Sequence, residues 1–145
     1  MARITHIAIA TNDAKRSCEF YTQVFGLEFV RALDSQKFSG FVLSDGHMNL
    51  TIPDFKDDDA AGSELGVTFQ GLHHIGVQVD PSEHVEERLT AAGYALRRDI
   101  NEVIGVKAGG NHTPSHEFKY QGPDGVVIDI SSVGWEGTES WQGRR

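Results

Sequence analysis

The chain has 145 residues, a length that suits one domain or two small modules sharing a core. Its formal charge of −8 and sequence pI near 5.2 argue against nucleic acid and anionic membranes as partners. Cys18 is the single cysteine, so no intrachain disulfide can form; with no apolar run of membrane-spanning length and no apolar leader after Met1, a soluble cytoplasmic protein is expected.

Residues 3–10 alternate as a strand does, with Ile7 and Ile9 on one face and His6, Ala8 and Ala10 on the other. A helix follows, capped near Asn12 or Asp13, with Ala14, Cys18, Tyr21 and Val24 as its apolar stripe and Gly26 as its stop. Strands are predicted around 27–32, 38–43 and 47–52, the last pair turned by Asp45-Gly46. Residues 54–70, which include Asp57-Asp58-Asp59 and Gly62-Ser63, read as a solvated linker.

The order then repeats. His74-Ile75-Gly76-Val77-Gln78-Val79 alternates like His6-Ile7-Ala8-Ile9-Ala10, about half the chain away. Asp80-Pro81-Ser82-Glu83 predicts a capped helix start, Val85, Leu89 and Ala92 its buried stripe, and Gly93 its end. Strands are predicted at 94–98, 116–120 and 126–131, with Asp124-Gly125 in the last turn. Each half is strand, helix, then three strands: module 1 over about 3–53, the linker 54–70, module 2 over about 71–133. The loop from about 101 to 115 has no counterpart in the first half, and Gly109-Gly110 makes it either a pliable lid or an uninvolved surface loop. In the tail, 134–145, Trp135 and Trp141 mark part of the segment as packed.

If the apolar set of each outer strand faces the helices, the opposite set lines the other side of the sheet. That set is His6, Ala8 and Ala10; His47, Asn49 and Thr51; His74, Gly76 and Gln78; and Val127, Asp129 and Ser131. Small and polar side chains suit a cup that holds metal or ligand better than a closed core. By the same parity His73 faces the helices as a structural histidine. One histidine from each half with one carboxylate makes a face that binds a divalent metal and leaves positions open. Lys119 faces the cup as a candidate base, His112 and His116 on or beside the loop are candidate acids or bases, and Gln78 and Thr51 could orient substrate.

The chain resembles the vicinal oxygen chelate superfamily, which includes glyoxalase I, extradiol dioxygenases, methylmalonyl-CoA epimerase and bleomycin resistance proteins. The carriers of the resemblance are His6-Ile7-Ala8-Ile9, Phe20-Tyr21-Thr22-Gln23-Val24-Phe25-Gly26-Leu27, His73-His74-Ile75-Gly76 and Gly122-Pro123-Asp124-Gly125-Val126-Val127-Ile128-Asp129. It implies an α+β fold of two βαβββ modules forming a cupped, partly open mixed β-sheet with helices outside. It implies metal positions at His6, Asn49, His74 and Asp129, and a homodimer. Asn49 stands where similar glyoxalases carry glutamate, and an amide cannot ionise to move a proton. Lys119 stands where extradiol enzymes carry tyrosine. The function expected is a divalent-metal enzyme chelating vicinal oxygens of a small oxygenated substrate, leaning to Fe(II) dioxygenase or lyase chemistry. A glyoxalase- or epimerase-type isomerase and a metal-free binding or resistance protein are the alternatives. Fe(II), Mn, Ni, Co and Zn all suit the donors.

Overall fold

The computed structural model describes residues 1–105 and 117–143. Strand β1 (Arg3–Ala10) leads through helix α1 (Ala14–Phe25) into a meander of β2 (Glu28–Asp34), β3 (Phe38–Ser44) and β4 (Asn49–Phe55). A short α2 (Asp58–Ala61) precedes β5 (Gly71–Gln78), and α3 (Val85–Ala91), α4 (Arg98–Val103), β6 (Phe118–Gln121) and β7 (Val127–Ser131) follow. The strands form one seven-stranded mixed sheet in the order β2-β3-β4-β1-β5-β7-β6. This is the α+β architecture that the repeat and the resemblance imply.

Each half places a parallel pair beside the seam, β1 with β4 and β5 with β7, and the halves join through antiparallel β1 and β5. Across that seam His6 faces Gly76 and Ala8 faces His74. The two histidine words therefore run side by side in opposite directions, which brings both rings to the middle of the sheet. Local chemistry sets the ends as expected. The Asp13 side chain accepts from Arg16 N at the start of α1, and Gly26, at φ 71°, closes it in a conformation that glycine adopts without a Cβ penalty.

Several elements differ from expectation. The strand predicted at 94–98 is reduced to one bridge, Leu96 with Tyr120, because Arg98 already begins α4. Arg97 is caught there by Glu64, Asp99 and Gln121 at 2.7–3.0 Å. Buried Asn101 then stands in for strand pairing: its Nδ2 donates to Lys119 O at 3.1 Å and its Oδ1 accepts from Lys119 N at 3.0 Å. The Asp80–Glu83 capping box exists, but it closes a 3-10 turn, and His84 at φ 50° separates that turn from α3. Val85 and Leu89 pack on the cluster of Val79, Phe118, Tyr120 and Ile130, whereas Ala92 is exposed. Val24 of the α1 stripe is exposed too. The linker is not wholly solvated, since Ala60 and Ala61 of α2 are fully buried. His47 falls in the turn before β4, exposed and bonded to Glu139, so it does not join the cup face.

The cup face is the better covered side of the central strands. Ala8, Ala10, His6, His74, Val127 and Asp129 are buried, while Ile7, Ile9, Ile75 and Val77 are only half-buried. Part of the cover is the tail, which folds back over the first half. Ser44 Oγ donates to Gly137 O (2.7 Å), Glu139 N to Gly46 O (2.9 Å), and Gln78 binds Ser140 through both ends of its amide (2.8 and 2.7 Å). Among the described residues no helix is long and apolar enough to cross a membrane.

Candidate metal centre

The floor of the cup gathers His6 from β1, His74 from β5, Asp129 from β7, and Lys119 from β6. Glu117, one residue before β6, joins them. One nitrogen or carboxylate oxygen from each of His6, His74, Glu117 and Asp129 lies within 4.8 Å of all the others. Above this floor opens a cavity of about 710 Å³, a size that accepts a small molecule. Its walls include Arg31, Leu33, Phe38, Thr51, Phe55, Trp135, Glu136 and Trp141.

Hydrogen bonds on the outer edges of the two imidazoles fix which nitrogens face inward. His73 Nε2–H donates to Ala61 O (2.6 Å), which leaves His73 Nδ1 as an acceptor for His74 Nδ1–H (2.7 Å). Asn49 Nδ2 donates to Glu136 O (2.9 Å), so its Oδ1 is turned to His6 and accepts from Nδ1–H (2.7 Å). Both Nε2 atoms are then bare lone pairs, and they point at each other across 3.0 Å. Asp129 Oδ2 lies 3.1 Å from His74 Nε2. Two bare ring nitrogens and a carboxylate oxygen thus converge with no proton between them, a donor set that a cation would join.

Burial keeps the rings neutral. It lowers His6 to about 4, against weaker upward pulls from Asp129 and the Asn49 hydrogen bond. It lowers His74 to about 3, again against Asp129. Burial alone would raise Asp129, but His74, Lys119 and a hydrogen bond from Glu117 outweigh it and hold the carboxyl well below its usual range. Glu117 goes the other way: burial, then the Asp129 charge and their shared hydrogen bond, raise it well above the ordinary carboxylate range. Glu117 is therefore a carboxylic acid donating to ionised Asp129. Lys119 Nζ binds both Asp129 oxygens, at 2.8 and 2.7 Å.

These residues fit a divalent ion. Bonds of about 2.1 Å at right angles space neighbouring donors about 3.0 Å apart, which matches His74 Nε2 with His6 Nε2 at 3.0 Å and with Asp129 Oδ2 at 3.1 Å. Neutral imidazoles oriented through their other nitrogen are what such an ion requires. The competing feature is Lys119, whose ammonium already occupies Asp129.

Of the other residues singled out in the sequence, Thr51 lines the cavity and donates to Asn49 Oδ1 (2.8 Å), whereas the Gln78 amide is spent on Ser140. His112 and His116 lie outside the described residues. Sequence reasoning missed Glu117 and Trp135. Glu117 was within reach, because it shares strand phase with Lys119 two residues on. Trp135 had no periodic signal. It stacks on His6 with ring centroids 4.8 Å apart and planes 4° from parallel, and its side chain also reaches the Glu117 carboxyl, where it opposes the rise in proton affinity.

The family model described as Glyoxalase/Bleomycin resistance protein/Dioxygenase superfamily matches residues 3–130. A probable lactoylglutathione lyase of Vibrio parahaemolyticus serotype O3:K6 is 23% identical over 150 residues, covering 93% of this chain and 97% of the relative. Among solved structures, a hypothetical protein from Bacillus halodurans C-125 superposes with a TM-score of 0.66 at 16% identity, covering 99% of both chains. A methylmalonyl-CoA epimerase in complex with methylmalonyl-CoA and NH4+ gives a TM-score of 0.65 at 22% identity, covering 90% of this chain and 93% of that one.

Proposed function

This chain belongs to the glyoxalase/bleomycin resistance protein/dioxygenase superfamily, and from that premise we propose that it is a divalent-metal-dependent enzyme of the isomerase, epimerase or lyase kind. Its substrate would be a small molecule held through two neighbouring oxygens. The carrying observation is the convergence of two bare Nε2 atoms and an ionised carboxylate beside a protonated one. His6, His74 and Asp129 would hold the ion, with Glu117 in reach of it. When bound, the ion supplies Lewis-acid stabilisation of charge that builds on the substrate oxygens.

Glu117 moves the reading away from the oxygenase lean of the sequence. Asn49 cannot carry a proton, but Glu117 supplies from the other half the carboxyl that Asn49 lacks. A carboxyl whose affinity for protons is raised well above the ordinary by burial and the neighbouring Asp129 charge suits proton transfer beside a carbonyl. Lys119 anchors Asp129 and keeps a positive charge at the floor. Phe38, Phe55, Trp135 and Trp141 give the cavity an apolar wall on which the carbon skeleton of a substrate would pack. The names of similar proteins, a probable lactoylglutathione lyase and a methylmalonyl-CoA epimerase, support this class.

A second reading is an Fe(II) dioxygenase, favoured by the two-histidine, one-carboxylate face. The test is reconstitution with Fe(II), Mn, Co, Ni or Zn in turn, using lactoylglutathione, methylmalonyl-CoA and catechol as probes. Solvent deuterium entering an α-carbon without oxygen uptake supports the proton-transfer reading. Oxygen uptake with ring cleavage of catechol turns the assignment to the second. The proposal includes a homodimer, supported by Phe20, Val24 and Phe25 exposed together on α1.

A further inference from the structure

We propose that Asn49 is a positioning residue for His6 and not a metal ligand, and that the C-terminal segment at Trp135-Glu136 completes this hold on the ring. The inference rests on the metal reading above for its consequence, but its geometry stands independently.

Asn49 has no electron pair left for an ion. Its amide oxygen carries two lone pairs. One accepts from His6 Nδ1–H at 2.7 Å and the other from Thr51 Oγ1–H at 2.8 Å. Its amide nitrogen is committed as well, donating to Glu136 O at 2.9 Å. The residue is only 2% exposed, so no water can take over one of these bonds cheaply. The amide also does what a carboxylate there could not. An ionised side chain would accept from His6 but would set a negative oxygen against the Glu136 carbonyl. Asparagine therefore joins ring and tail, where a carboxylate could serve only the ring.

The tail meets His6 a second time through the face of the ring. The indole of Trp135 lies parallel on the imidazole, and Gly76 makes the space. A Cβ at Gly76 would come within 2.7 Å of His6 Cβ and of Trp135 Cη2 and Cζ2. The two histidine words differ at this place, Ala8 in the first and Gly76 in the second. That difference breaks the symmetry of the halves: His74 is oriented by its neighbour His73, while His6 is oriented by Asn49 and the tail. The coordination position that Asn49 would otherwise fill is thereby left for a substrate oxygen.

The test is the tautomer of His6, read by long-range ¹H–¹⁵N correlation in the full chain labelled with ¹⁵N-histidine, first without metal and then with Co(II). His6 is expected as the Nδ1–H form in the wild type and in Asn49→Asp, which keeps the acceptor. Asn49→Leu is expected to shift it to Nε2–H and to weaken Co(II) binding about 10–100-fold. Trp135→Phe should retain the wild-type tautomer and affinity, and Trp135→Ala should lose part of both. An Nε2–H tautomer in the wild type overturns the proposal without any variant. So does an Asn49→Leu protein that keeps both the Nδ1–H form and full Co(II) affinity. If the tautomers respond as expected while the wild type takes up no Co(II), the positioning stands and the metal reading falls.

Discussion

Adding one methyl group at Gly76 perturbs the centre while leaving every charge, hydrogen-bond donor and candidate ligand chemically unchanged. In Gly76→Ala the new Cβ would lie 2.7 Å from His6 Cβ and from two indole carbons of Trp135. That is about 0.8 Å inside the separation of about 3.5 Å at which carbon atoms attract. Neither neighbour is the tip of a flexible chain, so the indole must slide off the imidazole or β1 must part from β5. Overpacking of this kind costs about 1–3 kcal/mol, which lowers Tm by about 2–4 °C for each kcal/mol in a chain of this size. Since the ring that moves is His6, metal affinity should also fall, by about 10–100-fold. The assay pairs urea unfolding with calorimetric Co(II) titration, and Ala8→Gly is the control at the mirrored seam position opposite His74. That control should lose about 0.5–1 kcal/mol and keep its metal affinity. Wild-type stability and affinity in Gly76→Ala would refute the packing argument and, with it, the role given to Trp135.

Lys119→Met strips buried Asp129 of its cation and should destabilise the metal-free protein by about 3–5 kcal/mol. A divalent ion should then raise the Tm of this variant more than that of the wild type, and equal shifts would count against competition between Lys119 and metal. The pH dependence of the metal-free protein has two opposed parts. Folded His6, at about 4, and His74, at about 3, bind fewer protons than the unfolded rings, so their contribution is complete above about pH 6.5 and is lost as pH falls toward those values. Folded Glu117 holds its proton above the unfolded value, so its contribution is lost as pH rises past about 4.5. Glu117→Gln should therefore steepen the gain in unfolding free energy between pH 4.5 and pH 7, and a curve merely parallel to the wild type would contradict the raised proton affinity. Phe25→Glu on the exposed face of α1 should convert a dimer to monomers in sedimentation, whereas an unchanged sedimentation coefficient removes that face from the interface.

The fold was legible because its signals are periodic. Alternation around His6 and His74, the Asp13 and Gly26 ends of α1, and the Asp-Gly turns are local properties that the tertiary structure leaves intact. The placement of His6, His74 and Asp129 on one face followed from strand phase alone. What phase could not supply was which atom each side chain offers. Asn49 sits on the expected face, but its partner is the outer nitrogen of His6, a fact set by the Glu136 carbonyl 87 positions away. The predicted strand at 94–98 failed for a similar reason. A long-range clamp holds the Arg97 side chain at Glu64, and the side chain of Asn101 takes the Lys119 backbone groups that a longer strand would have paired. The tail had no period at all, and only the two tryptophans hinted that it packs.

The most direct measurement is metal content by mass spectrometry of the wild type, His6→Ala and His74→Ala, each purified from cells supplied with Fe, Mn, Co, Ni and Zn and checked for folding by circular dichroism. One divalent ion per wild-type chain, and loss of that stoichiometry in both folded variants, is the expected result. Full occupancy retained in both variants, or a wild type that holds no ion after reconstitution, would contradict a metal centre built on these two histidines.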